Sequence, residues 1–216
     1  MKPFLVFTAA AAIVTFASCG PTEAEIAATK AKATADSLAA EAAKEKTYMI
    51  DAAASHVNWA GTMVGIYTHS GTIAINEGSL MTKGDMLSGG SFVINMKSIT
   101  PTDSNYNAKE KKTPEGLVGH LSSPEFFAVD SFPTAALKIV SVEGNTAKAD
   151  LTIRNKTNSE TITDIVLTPN ADGTLHATGK LVFDRQKYGV AWKASMKDMV
   201  LQDNIELTVD LTGKAQ

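Results

Sequence analysis

Cysteine is nearly missing from this chain: its 216 residues include one, Cys19, so no disulfide can form within the molecule. A basic excess is missing too. The chain has 20 Lys and Arg against 23 Asp and Glu, dispersed rather than clustered, and no RNA- or DNA-binding motif, so no nucleic acid is implied as a partner. Histidine is scarce, and His56, His69, His120 and His176 lie on separate segments. Without an HExxH pattern or cysteine partners they suggest no zinc site and no other metal. There is no GxSxG elbow and no phosphate-cradling glycine loop. The sequence therefore names no catalytic residue and no cofactor, and a binding protein is expected rather than an enzyme. Beyond the first 18 residues no apolar run approaches the length of a membrane-spanning helix.

The first segment present is an export signal, Met1–Ser18, with a charged start at Lys2 and an apolar run from Phe4 to Ala17. Its end, Phe16-Ala17-Ser18-Cys19-Gly20, resembles the bacterial lipobox, although Phe16 stands where an aliphatic residue is usual. That resemblance implies lipidation at Cys19. It also implies a protein anchored in the bacterial cell envelope by lipid, facing the periplasm. Residues 19–47 follow as a tether rich in Ala, Glu and Lys. Ile26 and Leu38 are the only large apolar side chains there, too few for a core of its own, while the composition favours helix.

From Tyr48 onward the pattern has period two. Ser55–Met63 places Val57 and Trp59 on one face, and Tyr67–Asn76 alternates loosely around Gly71, which marks a bulge or a close backbone approach. Gly84–Gly90 reads as a turn, and Ser91–Lys97 puts Phe92, Ile94 and Met96 on one side. Residues 99–114 are polar and read as a surface loop. Thr134–Val142, a Glu143-Gly144-Asn145 turn, and Thr146–Arg154 then predict a hairpin. Asn155–Asn158 reads as the next turn. Strands around Ile162–Leu167, Leu175–Phe183 and Ile205–Leu211 complete the chain, with a less regular segment from Phe183 to Met196. About eight short antiparallel strands joined by tight turns imply an all-β sandwich or barrel, and a closed barrel of that size holds either packed side chains or one small ligand.

Gly116–Thr134 (GLVGHLSSPEFFAVDSFPT) interrupts the strands. Ser123-Pro124 predicts a helix start, with Ser as N-cap and Pro in the first turn, and Ser122 with Glu125 offers a competing capping box. The helical turn would present Phe126 and Phe127 together, and Phe132-Pro133 would return the chain to extended geometry. Such a segment reads as a plug or lid, or as ordinary core.

Gly119-His120-Leu121-Ser122-Ser123-Pro124-Glu125-Phe126-Phe127, followed by Phe132-Pro133-Thr134, resembles the central motif of the YceI-like family of lipid-binding proteins. Matches in the same order include Asp51, Ser55-His56-Val57, Gly71, Gly78, Gly90–Ile94, Ala149–Ile153, Phe183-Asp184-Arg185 and Tyr188-Gly189. Where many members read Leu-Thr-Ile-His-Gly-Val-Thr, this chain has Leu151–Thr157 with Arg154 in place of the histidine. The resemblance covers about Tyr48 to the C-terminus. It implies a lipocalin-like antiparallel β-barrel at 48–216 whose interior holds a polyisoprenoid, a quinone-like molecule or a similar apolar lipid ligand.

Such a protein needs an apolar tunnel and a few polar groups to orient a head. The candidate lining is Trp59, Phe92 and Ile94 from early strands, Phe126, Phe127 and Phe132 from the plug, and Leu181 and Phe183 from a late strand. Inward positions of this kind serve lining and core equally. His120 would bond a ligand head or fix the plug to a backbone carbonyl. Arg185 would pair with Asp184 or another acid, or sit at the barrel mouth. The alternative to a carrier is a non-catalytic envelope interaction module with a filled barrel core, and the sequence leaves both monomer and homodimer open.

Overall fold

The computed structural model describes residues 22–42, 44–107, 109, 112–193 and 200–216; the export signal and Cys19 lie outside the described residues. Helix α1 spans Glu23–Ala42. A reciprocal capping box starts it: the Thr22 N–H donates to Glu25 Oε2 at 2.8 Å and the Glu25 N–H to Thr22 Oγ1 at 3.3 Å. The bonds from Thr22 hold the Glu25 carboxyl below its usual range. Ile26 and Leu38 are exposed, as the lack of an apolar stripe in the sequence implies. No helix among the described residues is long and apolar enough to cross a membrane.

The strands are β1 (Glu45–Ile50), β2 (His56–Met63), β3 (Tyr67–Ile73), β4 (Ile75–Lys83), β5 (Met86–Asn95), β6 (Thr100–Pro101), β7 (Thr134–Glu143), β8 (Thr146–Ile153), β9 (Lys156–Pro169), β10 (Thr174–Asp184) and β11 (Leu201–Ala215). Antiparallel pairing in the order β1-β4-β5-β7-β8-β9-β10-β11, with β11 returning to β1, closes an eight-stranded barrel. The register that runs from Glu45↔Lys83 to Met49↔Ser79 resumes at Val57↔Ile73 and ends at Met63↔Tyr67. β1 with β2, and β4 with β3, are thus two long kinked strands. β1 opens at Glu45 rather than Tyr48, because its first two residues are exposed and Tyr48 is the first one buried.

Period-two burial produces this closure. Ala147, Ala149, Leu151 and Ile153 on β8 are all buried, while Lys148 and Asp150 between them are exposed. The β8–β9 turn is Arg154-Asn155, both at positive φ (51° and 56°), so it lies earlier than Asn155–Asn158 and β9 already starts at Lys156. Gly84–Gly90 is not a single turn. The chain reverses at Gly84, and Gly89 and Gly90 lie inside β5, where a Cβ would come within 2.5 Å of Met81 Cε and 2.8 Å of the Ser79 carbonyl respectively. Gly71 is a close approach: a Cβ there would sit 2.1 Å from the Thr100 carbonyl oxygen, on the neighbouring β6.

The helix of the plug starts earlier than expected. Helix α2 is Pro114–Ser122, with Thr113 as N-cap, its Oγ1 accepting from the Gly116 N–H at 3.1 Å, and Pro114 in the first turn. Ser123 is the C-cap, so the helix ends where Ser123-Pro124 suggested it would begin. The next residues form a hydrogen-bonded turn, with Phe126 N–H donating to the Ser123 carbonyl and Ala128 N–H to the same oxygen. Within residues 99–114, read as a surface loop, Ile99 is buried and Thr100-Pro101 is the short strand β6.

Candidate functional site

The barrel interior is hollow in two places. The cavity at the α2 side has a volume of about 220 Å³ and the second about 110 Å³, each far above the roughly 10–15 Å³ that one water requires. Val57, Ile94, Leu151 and Leu207 line both cavities, so these four side chains form a shared waist. The smaller cavity is walled by apolar side chains such as Leu80, Leu137, Ile139 and Leu211. Lys180 also borders it, but its ammonium is paired with Glu206.

The sequence-derived candidates divide between these spaces. Trp59, His120, Phe126, Phe127 and Phe183 line the larger cavity, Phe92 and Leu181 the smaller, and Ile94 both. Phe132 and Arg185 line neither. Phe132 belongs to the turn leading out of the plug, where its N–H donates to the Ala128 carbonyl at 2.9 Å.

Arg185 is only 2% exposed and is occupied by the chain around it. Its Nη1 donates to the Val190 and Trp192 carbonyls at 2.6 and 3.0 Å, its Nε to the Gln202 carbonyl at 3.2 Å, and its Nη2 to Asp203 Oδ1 at 3.0 Å. Burial lowers the pKa of this guanidinium, while Asp203 and then Asp184 act to raise it. The result is a clamp joining the irregular segment after β10 to the start of β11. Its partner is Asp203 rather than Asp184, because Asp184 caps the next turn by accepting from the Gln186 N–H at 2.8 Å. The clamp also fixes Trp192, whose ring covers part of the larger cavity.

Arg154, at the position where the histidine of the resembling motif is absent, has a comparable role. Its Nη1 donates to the carbonyls of Phe126 and Gly189, both at 2.7 Å, and so ties the plug turn to the loop after β10. Tyr188, fully buried, donates its hydroxyl to Glu160 Oε1 at 2.9 Å; burial, then Glu160, pushes the phenol pKa up.

Two imidazoles border the larger cavity. His120, in the last turn of α2, has its ring 4.8 Å from Trp192 and 5.2 Å from Phe126. Its Nε2 is buried and has no hydrogen-bond partner among the described residues. The expected alternative, a bond from this histidine to a backbone carbonyl through that nitrogen, is therefore not made.

His69, which the sequence did not single out, points Nδ1 at Asp103, 3.1 and 3.2 Å from the two carboxylate oxygens. Its ring stacks on Tyr106 at 5.2 Å and packs on Tyr67 at 4.7 Å. Asp103 also accepts from the Ser70 N–H at 3.0 Å, the Asn105 N–H at 2.9 Å and the Tyr106 hydroxyl at 3.0 Å. Burial raises the Asp103 pKa, but these hydrogen bonds together outweigh it and leave the carboxyl below its usual value. Burial and then Asp103 push the Tyr106 phenol up to about 12. The pairing arises because β6 lies beside β3, a non-local neighbourhood with no trace in local pattern. Asp103 among Ser, Asn and Tyr residues was the available signal, and a polar loop is the ordinary reading of such a run.

No Ser, Thr, Cys, Asp, Glu, Lys or Arg is among the described residues that line the larger cavity. The larger cavity is thus walled by apolar and aromatic side chains and bordered by two imidazoles. Known structures share the fold. BcnA of Burkholderia cenocepacia superposes with a TM-score of 0.57 at 15% identity, over 76% of this chain and 98% of that one. A polyisoprenoid-binding domain from Saccharophagus degradans, implicated in plant cell wall breakdown, gives 0.51 at 12% identity, over 78% and 98%. No curated protein matches the chain. Residues 48–213 match the model of the YceI-like domain, which spans every barrel strand from Tyr48 of β1 into β11, and the chain belongs to the YceI-like family.

Proposed function

We propose that this protein is a non-catalytic binding or carrier protein for a polyisoprenoid or other long apolar lipid, held inside the barrel and tethered to the cell envelope through Cys19. The observation that carries the reading is the pair of apolar cavities meeting at the Val57, Ile94, Leu151 and Leu207 waist. An elongated chain threaded between these four side chains would fill both spaces, which a compact ligand would not. Each buried methylene contributes roughly 0.8 kcal/mol before ordering costs, so several isoprenoid units bind without any charged contact. Family membership and the polyisoprenoid-binding relative support the same ligand class. The hollow interior counts against the filled-core interaction module.

Titration with geranylgeraniol tests this, read by the fluorescence of Trp59 and Trp192 in the cavity wall and by thermal melting. Free ligand at about one hundred times Kd stabilises the fold by about 2.7 kcal/mol. At 2–4 °C per kcal/mol that raises Tm by roughly 5–11 °C. Unchanged fluorescence and Tm at saturating ligand would reject the carrier reading. The anchor is a separate proposal: Cys19→Ala should move the protein from the membrane to the soluble periplasmic fraction, and unchanged partition would overturn it.

A further inference from the structure

We infer that the larger cavity selects lipids with an uncharged, oxygen-bearing head group, a hydroxyl or carbonyl, and discriminates against phosphorylated ones, with His120 and His69 as the head-group contacts. This deepens the carrier reading and rests on it. The buried Nε2 of His120 has no partner among the described residues, an unfavourable state that a ligand oxygen would relieve. It borders the same cavity as His69, whose Nδ1 is engaged by Asp103. A neutral imidazole that donates from Nδ1 presents a lone pair at Nε2, so His69 is set to accept from a hydroxyl. Depending on its tautomer, His120 accepts from a hydroxyl or donates to a hydroxyl or carbonyl oxygen.

The charge balance argues against an anion. No Lys or Arg is among the described residues lining the cavity. Outside the lining, the buried Arg185 is committed to backbone carbonyls and Asp203, and the partly buried Arg154 to the carbonyls of Phe126 and Gly189. Beside His69 the Asp103 carboxylate adds negative charge, and no described lining residue supplies a permanent positive charge to a phosphate. An anion enclosed without a counter-charge is strongly disfavoured, whereas a hydroxyl or carbonyl needs only a hydrogen bond. The imidazoles place the head at the α2 end, with the tail passing the waist toward Leu137 and Leu211.

The test compares geranylgeraniol, geranylgeranylacetone, geranylgeranyl diphosphate and the headless hydrocarbon phytane, each titrated against the full protein and against His120→Leu. Alcohol and ketone should bind within a few-fold of each other. Both should bind at least tenfold tighter than the diphosphate and several-fold tighter than phytane. His120→Leu, which removes an unpaired buried nitrogen and should fold at least as stably, should bring the ketone down to the phytane level and weaken the alcohol several-fold, since only the alcohol keeps a bond, to His69. A diphosphate that binds as tightly as the alcohol would overturn the inference, because its head would then reside in water or meet a counter-charge. Phytane binding equal to the alcohol would overturn the head-group contacts while leaving the apolar cavity intact. Failure of all four probes would remove the carrier reading and this inference with it.

Discussion

Replacing Arg185 with Met should cost far more stability than removing its acidic partner, because the guanidinium serves chiefly as a backbone clamp. Its side chain is 2% exposed, whereas that of Asp203 is 49% exposed. Met retains most of the apolar stem but leaves the Val190 and Trp192 carbonyls without their donor, and Val190 is wholly buried. Breaking a buried charged network from one side typically costs about 3–5 kcal/mol. For a domain of this size each kcal/mol moves Tm by about 2–4 °C, so Arg185→Met should lower it by roughly 6–20 °C. Asp203→Asn leaves the carbonyl bonds in place and removes a half-solvated ion pair, worth about 1 kcal/mol or less. Thermal melts of the two variants followed by circular dichroism provide the comparison. Equal losses in the two, or a change below about 3 °C in Arg185→Met, would refute the clamp.

Other consequences can be measured directly. Val57→Phe fills the waist and should weaken geranylgeraniol by at least about tenfold, or 1.4 kcal/mol, while geraniol, short enough for one cavity, changes little; equal weakening of both would argue against a chain passing the waist. Gly71→Ala would press a Cβ against the Thr100 carbonyl at 2.1 Å and should cost about 1–3 kcal/mol or more in chemical denaturation. Gly119→Ala, in α2 with open space around it, should stabilise by about 0.5–1 kcal/mol. The lowered pKa of Asp103 contributes stability that is fully present above the unfolded carboxyl value, about pH 3.9, and is lost as pH falls through the folded value. The acid loss of stability should therefore be shallower in Asp103→Asn than in the parent protein, and identical pH profiles would contradict the assignment.

The barrel was legible wherever one face of a strand is buried and the other wet. On β8 strict alternation marks both the strand and its inward face, and on β11 Leu207, Val209 and Leu211 do the same. Legibility failed where a decisive contact is distant in sequence. Gly89 and Gly90 look like turn residues until Met81 and Ser79 are placed across from them. Thr113-Pro114 and Ser123-Pro124 carry the same helix-start chemistry, and local pattern cannot rank them; the packing of Leu121, Phe126 and Val129 into one core does. The inward strand positions and Phe126 and Phe127 of the plug were readable as facing the interior, whereas Phe132, in the same run, lines neither cavity. Arg185 was not, because its acceptors are backbone carbonyls, which every sequence contains. His69 was missed because Asp103 reaches it only through the β3–β6 pairing.

The central claim, that the barrel interior holds a long apolar chain, is tested most directly by extracting the protein purified under native conditions with organic solvent and identifying the extract by mass spectrometry. The expected result is a long-chain apolar lipid in near-equal molar amount to the protein, retained by the parent and depleted in Val57→Phe. An extract without such a lipid, from protein that also fails to bind added isoprenoid, would contradict it.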